Sequence, residues 1–282
     1  MKEAIFILDG FEALSTKWYL EVFEDVNEHT QVSLKKELEC FLLEFQNRYS
    51  RFNKDSLLNE LNQKRSVPYD EALLSMMTTG EMLYKETSGI FNLFIKDELE
   101  EKGYGHKDIA SYSCHSEAQG FVVLDNSISL LGNKTIDLGG IGKGYLIDKV
   151  ARLLKEKYHI EQFLINGGGD MYGTHCCGDG ISVYLQHPLK QEILIGEITI
   201  FNQAFCSSSS YVRSWQKDGI TRNHFVSKDK KEIWAASFVV GTTATITDCF
   251  ATIFCLTSNE RGLTKNLAET FSLEYLVFDE SF

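Results

Sequence analysis

Glycine is concentrated in one short part of this 282-residue chain, and no other sequence feature constrains its fold as strongly. Eight of the 21 glycines fall between Gly139 and Gly173, a span of 35 residues. Such density indicates positive φ angles or close approach of the backbone to another group. The first cluster reads Asp137-Leu-Gly-Gly-Ile-Gly-Lys-Gly144, and the second reads Asn166-Gly-Gly-Gly-Asp170.

Neither glycine cluster matches a standard nucleotide motif. The first has the spacing G-x-G-x-G rather than G-x-G-x-x-G, and Gly144 follows Lys143 where a P-loop has Ser or Thr. A glycine loop that leads into a helix nevertheless presents backbone N–H groups to an anion, and Lys143 adds a positive charge. The alternative is a pair of tight turns at strand–helix junctions, with Lys143 simply solvated. From these residues alone both interpretations stay open.

A candidate pair of metal ligands lies near the C-terminus. Asp248 and Thr252 are four residues apart in an apolar stretch predicted to be a helix, so their side chains lie on one helical face. Carboxylate and hydroxyl oxygens suit Mg²⁺, which takes few protein ligands. A carboxylate in apolar surroundings is costly unless it is paired or bound to a metal. The alternative is that Asp248 lies near the helix N-terminus as a cap or dipole partner.

The apolar pattern predicts a chain of mixed α and β structure. An apolar content of 43% with only two prolines is typical of a folded globular protein. Helices are predicted at 32–47, 69–88, from the 139–144 cluster to about 157, and 244–257; strands are predicted at 120–124, 128–131, 160–165, 181–186, 193–200, 234–240 and 273–278. We expect one domain over 1–282, with residues 103–105 as a soft internal boundary.

Charge and cysteine usage narrow the functional classes. The formal net charge of −12 argues against nucleic-acid binding, which needs a concentrated basic surface. No apolar run approaches the roughly 20 residues of a membrane helix, so we expect no membrane insertion. The first ten residues lack the pattern of a signal peptide. Seven cysteines, an odd number without a CxxC pair, predict reduced thiols and a cytoplasmic location.

Several segments together resemble the ApbE family, the FAD:protein FMN transferases. Residues 137–148 are similar to the family's Asp-Leu-Gly-Gly-Ile-Ala-Lys-Gly-Tyr-x-x-Asp signature, and 164–170 to its Asn-x-Gly-Gly-Asp loop. Residues 248–252 resemble its Asp-Ala-x-x-Thr helix, 87–91 its Thr-x-Gly-x-Phe-Asp turn, and 48–62 its S-x-Y…D-S…L-N stretch. Leu14-Ser-Thr16 stands where Met-Gly-Thr is expected. Six motifs in the family's order form a specific signal over most of the chain.

The resemblance implies an α+β fold related to the T-fold, with mixed sheets flanked by helices and two intertwined lobes around a flavin site. It implies Mg²⁺-dependent transfer of FMN from FAD to a Thr or Ser hydroxyl of an acceptor flavoprotein, with release of AMP. Gly140, Asp248 and Thr252 would bind Mg²⁺, and His224 and Asp248 would be catalytic, with His224 as the base. The residues that would bind FAD are Leu14, Phe52, Asn62, Ile90, Phe91, Asn92, Asp137 and Lys143.

The chain departs from the family pattern mainly where the acceptor would bind. After His224 the Asp-Pro-x-Thr-Gly segment is missing, and Ser207-Ser-Ser209 replaces Thr-Ser-Gly. Leu14, Phe52 and Asn92 replace the family's Met, Tyr and Asp. Two alternatives to the transferase therefore stay open: a diverged, non-catalytic flavin-binding homologue, and a pyrophosphatase that splits FAD into FMN and AMP.

Overall fold

The computed structural model describes residues 4–105, 119–174, 180–229 and 231–279 and contains both strands and helices. The strands are β1 (Phe6–Ala13), β2 (Thr16–Val22), β3 (Ser66–Pro68), β4 (Gly120–Leu124), β5 (Ser127–Leu131), β6 (Phe163–Gly167), β7 (Asp170–Thr174), β8 (Ile181–His187), β9 (Lys190–Ile200), β10 (Gln203–Ser209), β11 (Ser214–Lys217), β12 (Ile220–Asn223), β13 (Ala236–Gly241) and β14 (Glu274–Phe278). The helices are α1 (Glu28–Tyr49), α2 (Leu57–Lys64), α3 (Glu71–Glu86), α4 (Lys96–Glu101), α5 (Gly142–Glu156), α6 (Ala244–Leu256) and α7 (Arg261–Phe271).

The described residues group into two units, each assembled from separate segments. The first takes its residues from Met1–Glu44, Lys143–Val212 and Trp234–Phe282, and the second takes them from Phe45–Gly142 and Arg213–Ile233. Residues 103–105 lie inside the second unit. The single domain over 1–282 stays a prediction.

The first unit is built on a seven-stranded sheet with the order β1-β2-β6-β7-β10-β13-β14, in which every neighbouring pair is antiparallel. Successive side chains of a strand point to opposite faces of a sheet. On β10, Phe205 therefore joins an apolar cluster with the β8–β9 hairpin, whereas the Cys206 thiol donates to the carbonyl oxygen of Ala244 on α6. On β13, Ser237 Oγ donates to the carbonyl oxygen of Ala251, also on α6. Helix α6, which carries Asp248, is thus held against the sheet.

Two tight turns lie side by side in this sheet. Ala13 pairs with Thr16 across the β1–β2 hairpin, and the two residues between them, Leu14 and Ser15, both have positive φ, as in a type I′ turn. Gly167 pairs with Asp170 across the β6–β7 hairpin, and Gly168 and Gly169 between them also have positive φ. A Cβ atom on Gly168 would overlap Thr16 Oγ1. The second glycine cluster is therefore a tight turn, as one interpretation predicted, but it lies between two strands and not at a strand–helix junction.

The second unit contains α2, α3 and α4, the three-stranded sheet β3-β5-β4 and the β11–β12 hairpin. Its helix α3 begins at Asp70, whose Oδ1 accepts hydrogen bonds from Leu73 N (2.7 Å) and the Tyr49 hydroxyl (2.7 Å). Arg48 Nε donates to the other carboxylate oxygen over 2.8 Å. Asp70 is therefore both the N-cap of α3 and its link to the end of α1.

The predicted elements are confirmed with shifted ends, and so is the mixed α+β class with helices flanking the sheets. Strands β1, β2, β7 and β10 and helices α2 and α7 are among the elements that the sequence did not predict. None of the described helices has the length and apolar character needed to cross a membrane. The described cysteines, Cys40, Cys206, Cys249 and Cys255, are free thiols, and Cys114, Cys176 and Cys177 lie outside the described residues.

Candidate functional site

Lys143 lies in the first turn of α5 and forms an ion pair with each of two buried carboxylates. Its Nζ contacts Asp170 Oδ2, and it lies 3.2 Å from Asp248 Oδ1. We call Lys143, Asp170 and Asp248 the carboxylate–lysine cluster. Asp170 Oδ1 also accepts from Ser207 N at 2.9 Å, and Asp248 Oδ2 accepts from Gly144 N at 2.9 Å. The interpretation of Lys143 as a solvated residue is wrong, because its ammonium group forms ion pairs with both carboxylates.

The charges of this cluster depend on one another. Burial alone would lower the pKa of Lys143, but the neighbouring carboxylates raise it above its ordinary value. Burial raises the pKa of Asp170; the charge of Lys143 opposes this effect and the charge of Asp248 adds to it. One ammonium group between two carboxylates leaves an excess of negative charge. That excess favours the approach of a further cation.

Asp248 is not the cap of its own helix. It lies in the second turn of α6, whose first backbone N–H groups are taken by Asp148: Ala244 N and Thr245 N each donate to that carboxylate over 2.8 Å. Asp248 instead accepts from Gly144, in the first turn of α5. It is therefore the dipole partner of α5 rather than of α6, as well as a candidate metal ligand.

Thr252 lies one helical turn after Asp248 on α6 and is partly exposed. The shared helical face predicted for these two residues is confirmed by the helix. Gly140 belongs to the second unit, and its role as a metal ligand stays a prediction. Among the residues that the structure describes, no three His, Cys, Asp or Glu side chains lie close enough to hold a metal ion. The predicted donor set does not need three, since it relies on one carboxylate with a hydroxyl and a carbonyl oxygen.

Asp137 lies in the second unit and is paired with a residue that the sequence did not single out. Arg51 Nε lies 2.8 Å from Asp137 Oδ2, and the exposed fractions of the two side chains are only 5% and 8%. Gly139 N donates to the other carboxylate oxygen at 2.8 Å. The Arg51 guanidinium lies 4.5 Å from the Phe52 ring centroid and 4.6 Å from that of Tyr104. We call Arg51, Phe52, Tyr104 and Asp137 the guanidinium cluster.

Phe52 is the exposed member of the guanidinium cluster. Phe52 is 59% exposed, so one ring surface is available to a planar ligand. The Tyr104 ring meets Phe52 edge-on at 5.9 Å and stacks on Trp215 at 5.2 Å. Phe52 therefore has the exposure that its predicted role in FAD binding needs.

The remaining residues predicted to contact FAD differ in their hydrogen bonds and in their burial. The Asn62 amide makes two hydrogen bonds to the backbone of Ile136, the residue before Asp137, and thereby positions that segment. Asn92 Oδ1 accepts from Phe94 N at 2.9 Å, and its amide nitrogen is 3.3 Å from Gln119 Oε1. Phe91 is buried and Ile90 partly so. Leu14 lies in the strained type I′ turn of the first unit.

His224 directly follows β12 in the second unit and is partly exposed. Its ring packs on Phe225 at 4.4 Å between centroids and lies 6.4 Å from the ring of Tyr104. Its roles as a base and as a neighbour of FAD stay predictions.

Two site residues, Arg51 and Asp170, were not predicted from the sequence. Asp170 ends the second glycine cluster, and a carboxylate after a glycine turn was the available signal. Arg51 gave no signal because its partner Asp137 lies far along the chain. Only the fold brings these ion pairs together.

Comparison with known proteins gives a consistent result. The model of the ApbE family matches residues 14–276. The FAD:protein FMN transferase of Escherichia coli strain K12 is 22% identical over 241 residues, which make up 78% of this chain and 68% of that protein. Two solved structures share the fold. The ApbE protein of Thermotoga maritima has a TM-score of 0.82 at 18% identity, covering 98% of this chain and 94% of its own. The flavin transferase ApbE of Vibrio cholerae has a TM-score of 0.78 at 19% identity, covering 98% and 93%.

Proposed function

Since this chain belongs to the ApbE family, we propose that it transfers FMN from FAD to a Ser or Thr hydroxyl of an acceptor flavoprotein and releases AMP. In this reaction the acceptor oxygen bonds to the phosphorus on the FMN side of the diphosphate. The bond from that phosphorus to the bridging oxygen breaks, and AMP leaves with the bridging oxygen. The proton of the acceptor hydroxyl passes to a base, for which His224 is the candidate.

The carboxylate–lysine cluster is the observation that supports this proposal most. The carboxylates of Asp170 and Asp248 hold the pKa of Lys143 above its ordinary value, so Lys143 stays an ammonium group at neutral pH. An ammonium group at the start of a helix is suited to bind the diphosphate of FAD. In the second unit, Phe52 would pack on the flavin or adenine ring, and Asp137 would accept hydrogen bonds from FAD.

Magnesium dependence is part of the proposal. The excess negative charge and the hard oxygen donors of Asp248 and Thr252 fit Mg²⁺, with the Gly140 carbonyl as a third ligand. When bound, the ion would neutralise charge on the diphosphate. Asp248 and Thr252 would orient the ion, and Lys143 would orient the phosphate. We also place the protein in the cytoplasm, on its cysteine usage alone.

The test is an assay for AMP with FAD, Mg²⁺ and an acceptor fragment that carries a flavinylation site. We expect AMP release coupled to a flavin-fluorescent acceptor band. AMP release without labelling of the acceptor would favour the pyrophosphatase. No AMP release, whether the acceptor is present or absent, would favour the non-catalytic homologue. This last alternative is kept because the Asp-Pro-x-Thr-Gly segment is missing after His224.

Asp248→Asn tests the metal ligand. The amide keeps the size of the side chain and its acceptor for Gly144 N but loses the charge that would bind Mg²⁺. We expect at least a roughly hundredfold loss of Mg²⁺-dependent AMP release, on the scale of a lost electrostatic contact to a transferring phosphate. An unchanged rate would show that the α6 face does not bind the metal.

A further inference from the structure

The two residues directly before His224 are both held by one carboxylate, that of Glu232. Arg222 NH1 lies 2.9 Å from Glu232 Oε1, and Asn223 N donates to Oε2 at 3.4 Å. The buried Asn223 side chain donates to the carbonyl oxygen of Ile233 and accepts from Phe225 N. The residues before and after His224 therefore have fixed partners.

Lys102 completes this arrangement from the end of α4. Its Nζ donates to Glu232 Oε2 at 2.9 Å and to the carbonyl oxygen of Phe225 at 2.5 Å. Its own carbonyl oxygen accepts from Trp215 Nε1 at 3.0 Å. Trp215 in turn stacks on Tyr104, whose ring lies near His224. Lys102 is thus linked to the His224 segment directly and through the aromatic side chains.

The Lys102–Glu232 ion pair is largely shielded from solvent. The two side chains are 16% and 17% exposed, which is far less than in the surface pairs of this unit, such as Lys64 with Glu60. Burial opposes the charge of Glu232, but hydrogen bonds from Arg222 and Lys102 hold its pKa below the ordinary value. A charge-assisted hydrogen bond in this environment fixes the relative positions of the Lys102 and Glu232 side chains.

We infer that Lys102 and Glu232 are positioning residues that hold His224 in this chain, in place of the missing Asp-Pro-x-Thr-Gly segment. The inference rests on the proposed role of His224 as the base. Neither side chain touches the reacting atoms in this role. Lys102 holds the carbonyl after His224, and Glu232 holds the residues before it. The imidazole then keeps one orientation, which general-base catalysis requires.

The test compares Lys102→Met and Glu232→Gln with the wild-type protein. We expect the kcat for FMN transfer to fall about tenfold or more in each variant, because small displacements of a base are costly, while the KM for FAD stays within about twofold. Lys64→Met is the matched control, since Lys64 is an exposed lysine of the same unit in an ion pair with Glu60. Lys102→Arg, which keeps the charge, should recover part of the rate.

A second readout does not depend on activity. The ring resonances of His224, in protein with ¹⁵N-labelled histidine, are assigned by their loss in His224→Gln. We expect these resonances to shift or broaden in Lys102→Met and in Glu232→Gln and to stay unchanged in Lys64→Met. Should Lys102→Met fail to fold, the nearly isosteric Glu232→Gln decides the question. Unmoved His224 resonances together with a wild-type kcat would overturn the inference. If the wild-type protein releases no AMP, the proposed function fails, and the resonances alone decide the positioning role.

Discussion

The guanidinium of Arg51 lies between two aromatic rings and forms an ion pair with Asp137, and both side chains are buried. A buried carboxylate that loses its partner keeps the cost of desolvation without the compensating attraction. The same carboxylate is predicted to contact FAD. At the scale of one residue, stability and ligand binding therefore depend on a single contact.

Arg51→Met tests this dependence. The substitution keeps an apolar stem between the rings but leaves Asp137 without its cation. We expect the free energy of unfolding to fall by about 3–5 kcal/mol and FAD binding to weaken. Urea denaturation and quenching of flavin fluorescence measure the two effects. Arg152→Met is the control, because the pair of Arg152 with Glu156 is exposed and should contribute less than about 0.5 kcal/mol. Equal effects of the two substitutions would contradict this interpretation.

At the scale of elements, the backbones of α5 and α6 approach each other closely at Gly144. A Cβ atom on Gly144 would overlap the carbonyl oxygen of Ala244 and lie 2.8 Å from the Cβ of Asp248. Asp148, one turn further along α5, accepts the N–H groups at the start of α6. The two helices can therefore be this close only with glycine at 144.

Gly144→Ala should separate these helices. We expect a loss of about 1–3 kcal/mol in the free energy of unfolding, the usual cost of overpacking a rigid contact. Gly262→Ala is the matched control: Gly262 lies in α7 with open space around it, so alanine there should stabilise by about 0.5–1 kcal/mol. Thermal or urea unfolding gives both values. A neutral Gly144→Ala would show that the helix contact is adaptable.

Asp70 makes the stability of the α3 N-terminus depend on pH. Burial opposes its charge, but hydrogen bonds from Leu73, Tyr49 and Arg48 hold its pKa below the ordinary value of about 3.9. A lowered pKa means that the contribution to stability is fully present above the ordinary value and is lost as the pH falls through the folded value. Asp70→Asn should therefore cost about 1–3 kcal/mol at pH 7, and the difference should shrink below about pH 4. Urea denaturation between pH 7 and pH 3 measures it, and a constant difference would contradict the role of the charge.

Local patterns predicted some elements well and others not at all. The long periodic helices and α6 carry enough residues for their apolar spacing to be read. Strands β1 and β2 were missed because their turn, Leu14-Ser15, has neither the Gly nor the Asn that usually marks a type I′ turn. Helix α7 was missed in part because Glu260 makes no side-chain cap at its start. In the site, Lys143 and Asp248 were found through motifs, whereas Arg51 and Asp170 required the fold.

At the scale of the whole molecule, the residues predicted to bind FAD come from both units: Asp137 and Phe52 from the second, Lys143 and Leu14 from the first. A ligand that binds only the folded state stabilises it by mass action. Binding of FAD should therefore stabilise the folded protein against unfolding.

Calorimetry with FAD and Mg²⁺ tests this expectation. At about 100 times the Kd, the ligand should add about 2.7 kcal/mol, which for a chain of this size raises the Tm by roughly 5 °C. Lys143→Met should lose most of this increase, because the diphosphate loses its cation. The same increase in wild type and variant would show that Lys143 does not contact FAD.

The contact between α5 and α6 also bears on how sequences of this kind are interpreted. Gly144 and Asp148 belong to the most recognisable motif of the chain, yet one permits the close packing of two helices and the other caps α6. A descendant that had abandoned catalysis would still gain stability from both residues. Their presence therefore indicates membership of the family and does not by itself indicate activity. In a survey for inactive relatives, the glycine and the aspartate of this motif should therefore not be counted as evidence of activity.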